Sequence, residues 1–153
     1  MPTRHSRLAN FLPYLLAITA ESVSDVCAEA YRERFDLRLP EWRVLAVLGD
    51  AGALTQRDLA RATRMDKVAV NRACKALEDR GLLQRSPNDR DGRSHHLELS
   101  EAGRAIHQDM MPTAFAIERR VFADLSETER QQLRYLLARV RNTVEWMDSP
   151  QAA

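Results

Sequence analysis

The chain has 153 residues, 44% of them hydrophobic and 29% charged, with a formal net charge of +1. This ordinary globular balance excludes a disordered tail, a collagen and a membrane bundle. The near-neutral charge means that any attraction to nucleic acid must come from a local patch. Cys27 and Cys74 lie too far apart for a CxxC pair and form no disulfide framework, which suits a reducing, cytoplasmic setting.

Arg4, Arg7 and Leu8 lead into the apolar run Phe11–Ala20, which has the outline of a short secretory signal. Asn10 and Pro13 interrupt that outline, and helical spacing continues beyond it. The segment therefore reads as a long helix over 11–34, with Asn10 as N-cap and Pro13 in the first turn. Its apolar stripe is Leu12, Leu15, Leu16, Thr19, Val23, Val26 and Ala30. No stretch reaches the ~20 apolar residues of a membrane span. A second helix is expected over 40–49, with Pro40 near its start and Trp42, Leu45, Val47 and Leu48 turned inward. Gly49 and Gly52 mark the turn that follows. Thr55 then caps a short helix, TQRDLARAT, and Thr55 with Asp58 has capping-box spacing, with Asp in place of Glu. Leu59 and Ala62 are its inner residues.

The next helix runs from Asp66 to Arg80 and stops at Gly81. A strand Leu82–Ser86, a polar tip Pro87–Ser94 and a strand His95–Leu99 follow. Leu97 and Leu99 alternate with His96 and Glu98, the period of a half-buried strand. Ser100 caps a long helix whose stripe is Ala102, Ile106, Met110, Ile117 and Val121, with Pro112 as a kink. Ser126 and Glu129 form a capping box for the last helix. That helix turns Leu133, Leu136, Leu137, Val140, Val144 and Met147 inward.

Two short helices joined by a turn and followed by a two-stranded hairpin make the order of a winged helix-turn-helix, whose second helix enters the major groove. At about 100° per residue, Val68, Asn71, Arg72 and Lys75 share one face of the Asp66–Arg80 helix, and Val70, Ala73 and Leu77 share the opposite one. The outer face thus offers an amide that can read adenine, a guanidinium that can read guanine and an ammonium for phosphate or guanine. Val68 can touch a thymine methyl. A solvated helix face would look similar, and the charge map separates the two. Thr55–His96 holds ten basic and six acidic residues, an excess of four, so the remainder of the chain carries −3. A basic middle between acidic ends is what local phosphate neutralisation needs.

In this order and spacing the sequence resembles the MarR family of bacterial transcriptional regulators over nearly its whole length. The residues that carry the resemblance are Leu39-Pro40-Glu41-Trp42-Arg43-Val44-Leu45, Thr55-Gln56-Arg57-Asp58-Leu59-Ala60, Met65-Asp66-Lys67-Val68-Ala69-Val70-Asn71-Arg72, Leu77-Glu78-Asp79-Arg80-Gly81-Leu82-Leu83, Asp91-Gly92-Arg93 and Leu99-Ser100-Glu101-Ala102-Gly103-Arg104. The resemblance implies a mainly α fold with a small β-hairpin wing: a winged helix-turn-helix lobe over 40–99, and long N- and C-terminal dimerisation helices over 1–34 and 100–147. It also implies a homodimer on a pseudo-palindromic double-stranded operator, with one recognition helix and one wing per half-site. The family's Asp-x-Arg wing motif falls on Asp91 and Arg93, so Asp91 would orient Arg93 into the minor groove. Gly92 replaces the common arginine, and Asp89–Arg90 forms a second pair, so Arg90 or Arg93 can insert, Arg93 being preferred. A narrow A·T-rich minor groove attracts such a cation. The DNA-contacting set expected is Gln56, Lys67, Val68, Asn71, Arg72, Lys75, Arg90 and Arg93.

No enzyme is expected. His5, His95, His96 and His107 lack metal spacing, His95 and His96 being neighbours on a strand and pointing to opposite faces. There is no phosphate loop and no nucleophile elbow, and neither a metal nor a cofactor is expected. The reading is a repressor released by a small aromatic or anionic effector. Tyr14, Trp42 and Arg43 are its candidate contacts, two aromatics and a carboxylate clamp. Two alternatives stand at this point. One is a winged-helix module that binds protein, which would bury Arg72, Lys75 and Arg93 in internal ion pairs. The other is a thiol-based redox regulator acting through Cys27 or Cys74, the latter at the border of its helix's apolar face.

Overall fold

A computed structural model of the chain describes residues 5–90 and 92–152. It divides into two compact units, Met1–Ile117 and Glu118–Ala153.

In the first unit a short helix α1 (His5–Ala9) precedes α2 (Leu12–Phe35). Sequence reasoning misses α1, and with it the start of α2. The Phe11 N–H donates to Leu8 O at 3.1 Å, so the chain leaves α1 by a turn and Phe11, not Asn10, becomes the N-cap. Pro13 follows in the first turn, where the backbone donors have no intrahelical partner to lose. The expected apolar stripe of α2 is not a buried face in the single chain: Leu12, Leu16 and Val26 are exposed, and the buried residue is Tyr31. Asp36 ends α2 in the left-handed region, with φ 51°, and its N–H donates back to Arg32 O at 3.1 Å. No helix among the described residues is long and apolar enough to cross a membrane.

The core is built by α3 (Leu39–Ala51), α4 (Gln56–Thr63) and α5 (Lys67–Asp79). At the start of α3 the Glu41 carboxylate accepts from the Arg38 N–H at 3.0 Å. This is the return half of a capping box, since an arginine side chain has no acceptor to supply the other half. Val44, Leu45 and Leu48 of α3 are buried against Leu59 of α4 and Val70, Ala73, Cys74 and Leu77 of α5. Trp42 and Val47, expected inside, are only half-buried, and Ala62 of α4 is exposed. Gly81, at φ 71°, closes α5: its N–H donates to Glu78 O and that of Leu82 to Leu77 O.

The chain then forms the antiparallel strands β1 (Leu83–Pro87) and β2 (His95–Leu99), in the register Leu83↔Leu99 to Pro87↔His95. Leu97 and Leu99 are buried, and Leu97 also exchanges two backbone hydrogen bonds with Leu54, at 2.7 and 3.0 Å. The hairpin is thereby anchored to the segment that leads into α4.

Ser100 opens α6 (Glu101–Val121), accepting from the Gly103 N–H and donating to Gly81 O. The inner face of α6 within this unit is Gly103, Met110, Thr113 and Ile117; Ala102, expected inside, is exposed. Pro112 lies inside the helix. Gly103 sets the face, because a Cβ there would collide with the backbone carbonyl of Leu82. Backbone cannot swing aside, so Gly103→Ala is expected to cost about 3 kcal/mol, read as a lowered midpoint in thermal unfolding. At Gly49 the nearest atoms that a Cβ would meet are those of the His107 ring. That half-buried ring can rotate, so a smaller loss is expected there.

The second unit holds the end of α6 and the helix α7 (Glu127–Met147). Ser126 and Glu129 close the expected capping box: the Ser126 hydroxyl accepts from the Glu129 N–H at 3.1 Å, and the Glu129 carboxylate from the Ser126 N–H at 3.0 Å. These bonds hold the exposed Glu129 carboxyl below the usual carboxylate range. Arg134 pairs with Glu118 at 2.9 Å. No described residue of α7 is buried: Leu133 is half-covered, and Leu136, Leu137, Val140, Val144 and Met147 are exposed.

Candidate nucleic-acid interface

The helix-turn-helix is fixed by its caps. The Thr55 Oγ1 accepts from the Asp58 N–H at 3.1 Å, and the Asp58 carboxylate accepts from the Thr55 hydroxyl at 2.8 Å and more weakly from its N–H. The hydroxyl bond, with Arg61 and His96 nearby, lowers the Asp58 pKa below the ordinary 3.8. Asp58 therefore stabilises the fold above its unfolded pKa, and that contribution is lost as pH falls through its lower folded value. Thr55→Ala is expected to cost about 1 kcal/mol near neutral pH and less in acid, measured as the difference in thermal midpoint from wild type across a pH series. The turn passes through Arg64 at φ 57°, and Asp66 then caps α5 by accepting from the Ala69 N–H at 2.8 Å.

That geometry presents the expected outer face. Val68, Asn71, Arg72 and Lys75 are exposed, while Val70, Ala73 and Leu77 are buried beneath them. Arg72 and Lys75 make no hydrogen bond or ion pair among the described residues. On one side of α5 an open cleft of about 580 Å³ separates the helix start from the wing. Gln56, Lys67 and Arg93, all expected at the site, line it. Arg57 and Arg85 line it too, and sequence reasoning did not single them out. The position of Arg57 immediately behind Gln56 in the first turn of α4 was the available signal. Arg85 is partly held by an ion pair with Glu78. Among the described residues the cleft is lined by four cations and one carboxylate, Asp58; with Arg85 paired to Glu78 outside the lining, the balance remains positive and favours an anion.

The wing tip is tied by Asn88, whose amide donates to the Ser94 hydroxyl at 2.9 Å and whose carbonyl oxygen accepts from the Arg90 N–H at 3.1 Å. Arg90 and Arg93 are both exposed, and Arg93, unlike Arg90, lines the cleft. Asp91, expected to orient Arg93, lies outside the described residues.

The candidate effector contacts are not assembled in one protomer. Trp42 stacks on Tyr31, with ring centroids 4.6 Å apart and an interplanar angle of 11°. Its indole Nε1 is buried and meets no acceptor among the described residues. Arg43 is half-buried and acts electrostatically on Cys27. Tyr14 stands about 25 Å along α2 from Tyr31 at 1.5 Å per residue, so it does not join this pair within the chain. Tyr31, which sequence reasoning overlooked, is the aromatic that does.

Cys74 lies in the core, not at the border of the apolar face, and burial pushes its thiol up to about 11. Partial burial also raises the Cys27 thiol, with Arg43 pulling the other way. Both shifts run against thiolate reactivity.

A helix-turn-helix that turns an amide and unpaired cations outward, beside a hairpin and a basic cleft, defines a winged-helix protein. The profile of the MarR family matches residues 35–94. The HTH-type transcriptional repressor NicR of Pseudomonas putida is 33% identical over 101 residues, a match covering 66% of this chain and 64% of NicR. The chain thus spans less than two thirds of the length of that relative. A probable transcriptional regulator from Pseudomonas aeruginosa has a solved structure 32% identical in sequence, with a TM-score of 0.74 over 87% of this chain and 98% of that one. The structure of Bordetella bronchiseptica BpsR, described with the regulation of its DNA binding by 6-hydroxynicotinic acid, is 28% identical, with a TM-score of 0.77 over 85% and 98%. The chain belongs to the MarR family of transcriptional regulators.

Proposed function

We propose that the protein is a sequence-specific DNA-binding transcriptional repressor that works as a homodimer and is released by a small aromatic or anionic effector. The observation that carries this reading is the outer face of α5, where Asn71, Arg72 and Lys75 are exposed and the two cations have no partner among the described residues. The protein-binding alternative expects Arg72, Lys75 and Arg93 in internal ion pairs, and Arg72 and Lys75 make none among the described residues. Gln56, Lys67 and Arg93 flank the face across the basic cleft and supply phosphate and minor-groove contacts, and Val68 and Arg90 complete the set. The repressor class of NicR supports the sign of regulation. Helices α2, α6 and α7 supply the dimer interface, and the lobe over 40–99 meets the operator half-site.

The effector acts by population shift, so it must bind two dimer geometries unequally. BpsR, whose DNA binding is regulated by an aromatic acid, supports that class of effector. The buried, unpartnered Trp42 Nε1 is a donor that a carboxylate or hydroxyl can take up, with Arg43 on the same helix and Tyr14 supplied across the dimer.

The test is selection from a random duplex pool, with wild type and Arg93→Ala compared over a salt series. A selected palindrome, bound with steep salt dependence by wild type and with a slope about one unit flatter by Arg93→Ala, is the expected result. No enrichment at low salt overturns the reading.

A further inference from the structure

Arg80 lies at the C-cap of α5, and its guanidinium reaches a segment 44 residues earlier. Its Nη1 donates to Asp36 O at 2.8 Å and its Nη2 to Phe35 O at 3.1 Å. Those carbonyls belong to the end of α2, where Asp36 turns the chain through the left-handed region. A helix C-terminus presents carbonyls without intrahelical donors and the negative end of the backbone dipole, which a cation complements. A guanidinium can serve two carbonyls at once with fixed geometry, whereas an ammonium is a single point charge. The backbone of Arg80 is itself held, its N–H donating to Ala76 O at 3.2 Å just before the Gly81 closure. The link therefore joins two anchored ends, the C-terminus of the recognition helix and that of α2.

We infer that Arg80 is a positioning residue that fixes the orientation of α5 against the end of α2, and so sets the half-site spacing at which the two recognition helices of a dimer fit DNA. This rests on the regulator reading above. Arg80 acts through α5 and needs no contact with DNA. A rotation of α2 within the dimer reaches the recognition helix through this fork.

The experiment uses the full chain as wild type, Arg80→Gln and Arg80→Lys. Binding is measured on the selected duplex and on versions with one base pair added or removed between half-sites, each over a salt series. Amide hydrogen exchange is measured without DNA. The exposed side chain makes folding of both variants expected, and circular dichroism checks it. Arg80→Gln is expected to bind the selected duplex about tenfold more weakly, to discriminate less between spacings, and to exchange faster in the last turn of α5. Its salt slope stays that of wild type. Arg80→Lys, with the charge but not the fork, is expected to resemble Arg80→Gln. A slope flatter by about one unit would make Arg80 a phosphate contact and overturn the inference. Unchanged spacing preference, or unchanged exchange, overturns it while the regulator reading stands. If wild type selects no duplex, both readings fall, whatever the exchange data show.

Discussion

Replacing Val140 and Val144 of α7 by aspartate is expected to halve the particle mass in sedimentation equilibrium and to weaken operator binding by about 10²- to 10⁴-fold, the range over which linking two sites raises avidity. Leu133, Leu137, Val140, Val144 and Met147 recur at alternating steps of four and three, the spacing of a helix-packing seam. Yet Val140 is 50% and Val144 43% exposed in the single chain. A monomer that left such a stripe in water would forgo a large hydrophobic gain. Around a two-fold axis the same residues from two copies approach one another, so aspartates there add like-charge repulsion to desolvation. The helix should survive, since its capping box lies at the other end. A double variant that remains dimeric would place the interface elsewhere.

Arg72→Ala is expected to lower affinity for the selected operator by about 10- to 100-fold, the value of one good bidentate base contact. It should also relax the preference at one base position in each half-site. The side chain is exposed and unpaired, so unfolding stability should move by less than about 0.5 kcal/mol. That pairing of a large binding loss with an intact fold separates a reading residue from a structural one. Lys75→Ala is the useful contrast. A phosphate contact would weaken binding uniformly across sequences and flatten the salt slope. If Arg72→Ala instead weakened every duplex alike, Arg72 would be a backbone contact and the base reading would belong to Asn71 and Val68.

Local chemistry made much of this fold legible. Thr55 with Asp58 and Ser126 with Glu129 are side chains that can satisfy orphan helix donors only at that spacing, and the helices start where they say. Gly81 marks the end of α5 because the chain needs a positive φ there. The two faces of α5 follow from periodicity alone, since the helix is short, capped and polar on one side. What failed depended on partners distant in sequence. Asn10 was a sound cap by type, but the turn out of α1 moved the start to Phe11. The inner face of α6 is set by how closely Gly103 meets the Leu82 carbonyl, a contact no periodicity reports. Cys74 reads as a border residue on a helical wheel and is fully covered by tertiary packing. Tyr31 was hidden because a lone tyrosine near a helix end has no signature; only the stack on Trp42 gives it a role.

The hairpin also bears on colloidal behaviour. A sheet of two strands has two open edges, and open edges recruit further strands into aggregates. Here the outer side of β2 is bonded at Leu97 to Leu54, so that edge is engaged by the chain itself. The outer side of β1 meets no other strand among the described residues. It is only five residues long, carries the charge of Arg85 and ends in Pro87, which has no N–H to offer. The wing can thus project from the surface at high protein concentration without offering a long open edge for fibre growth.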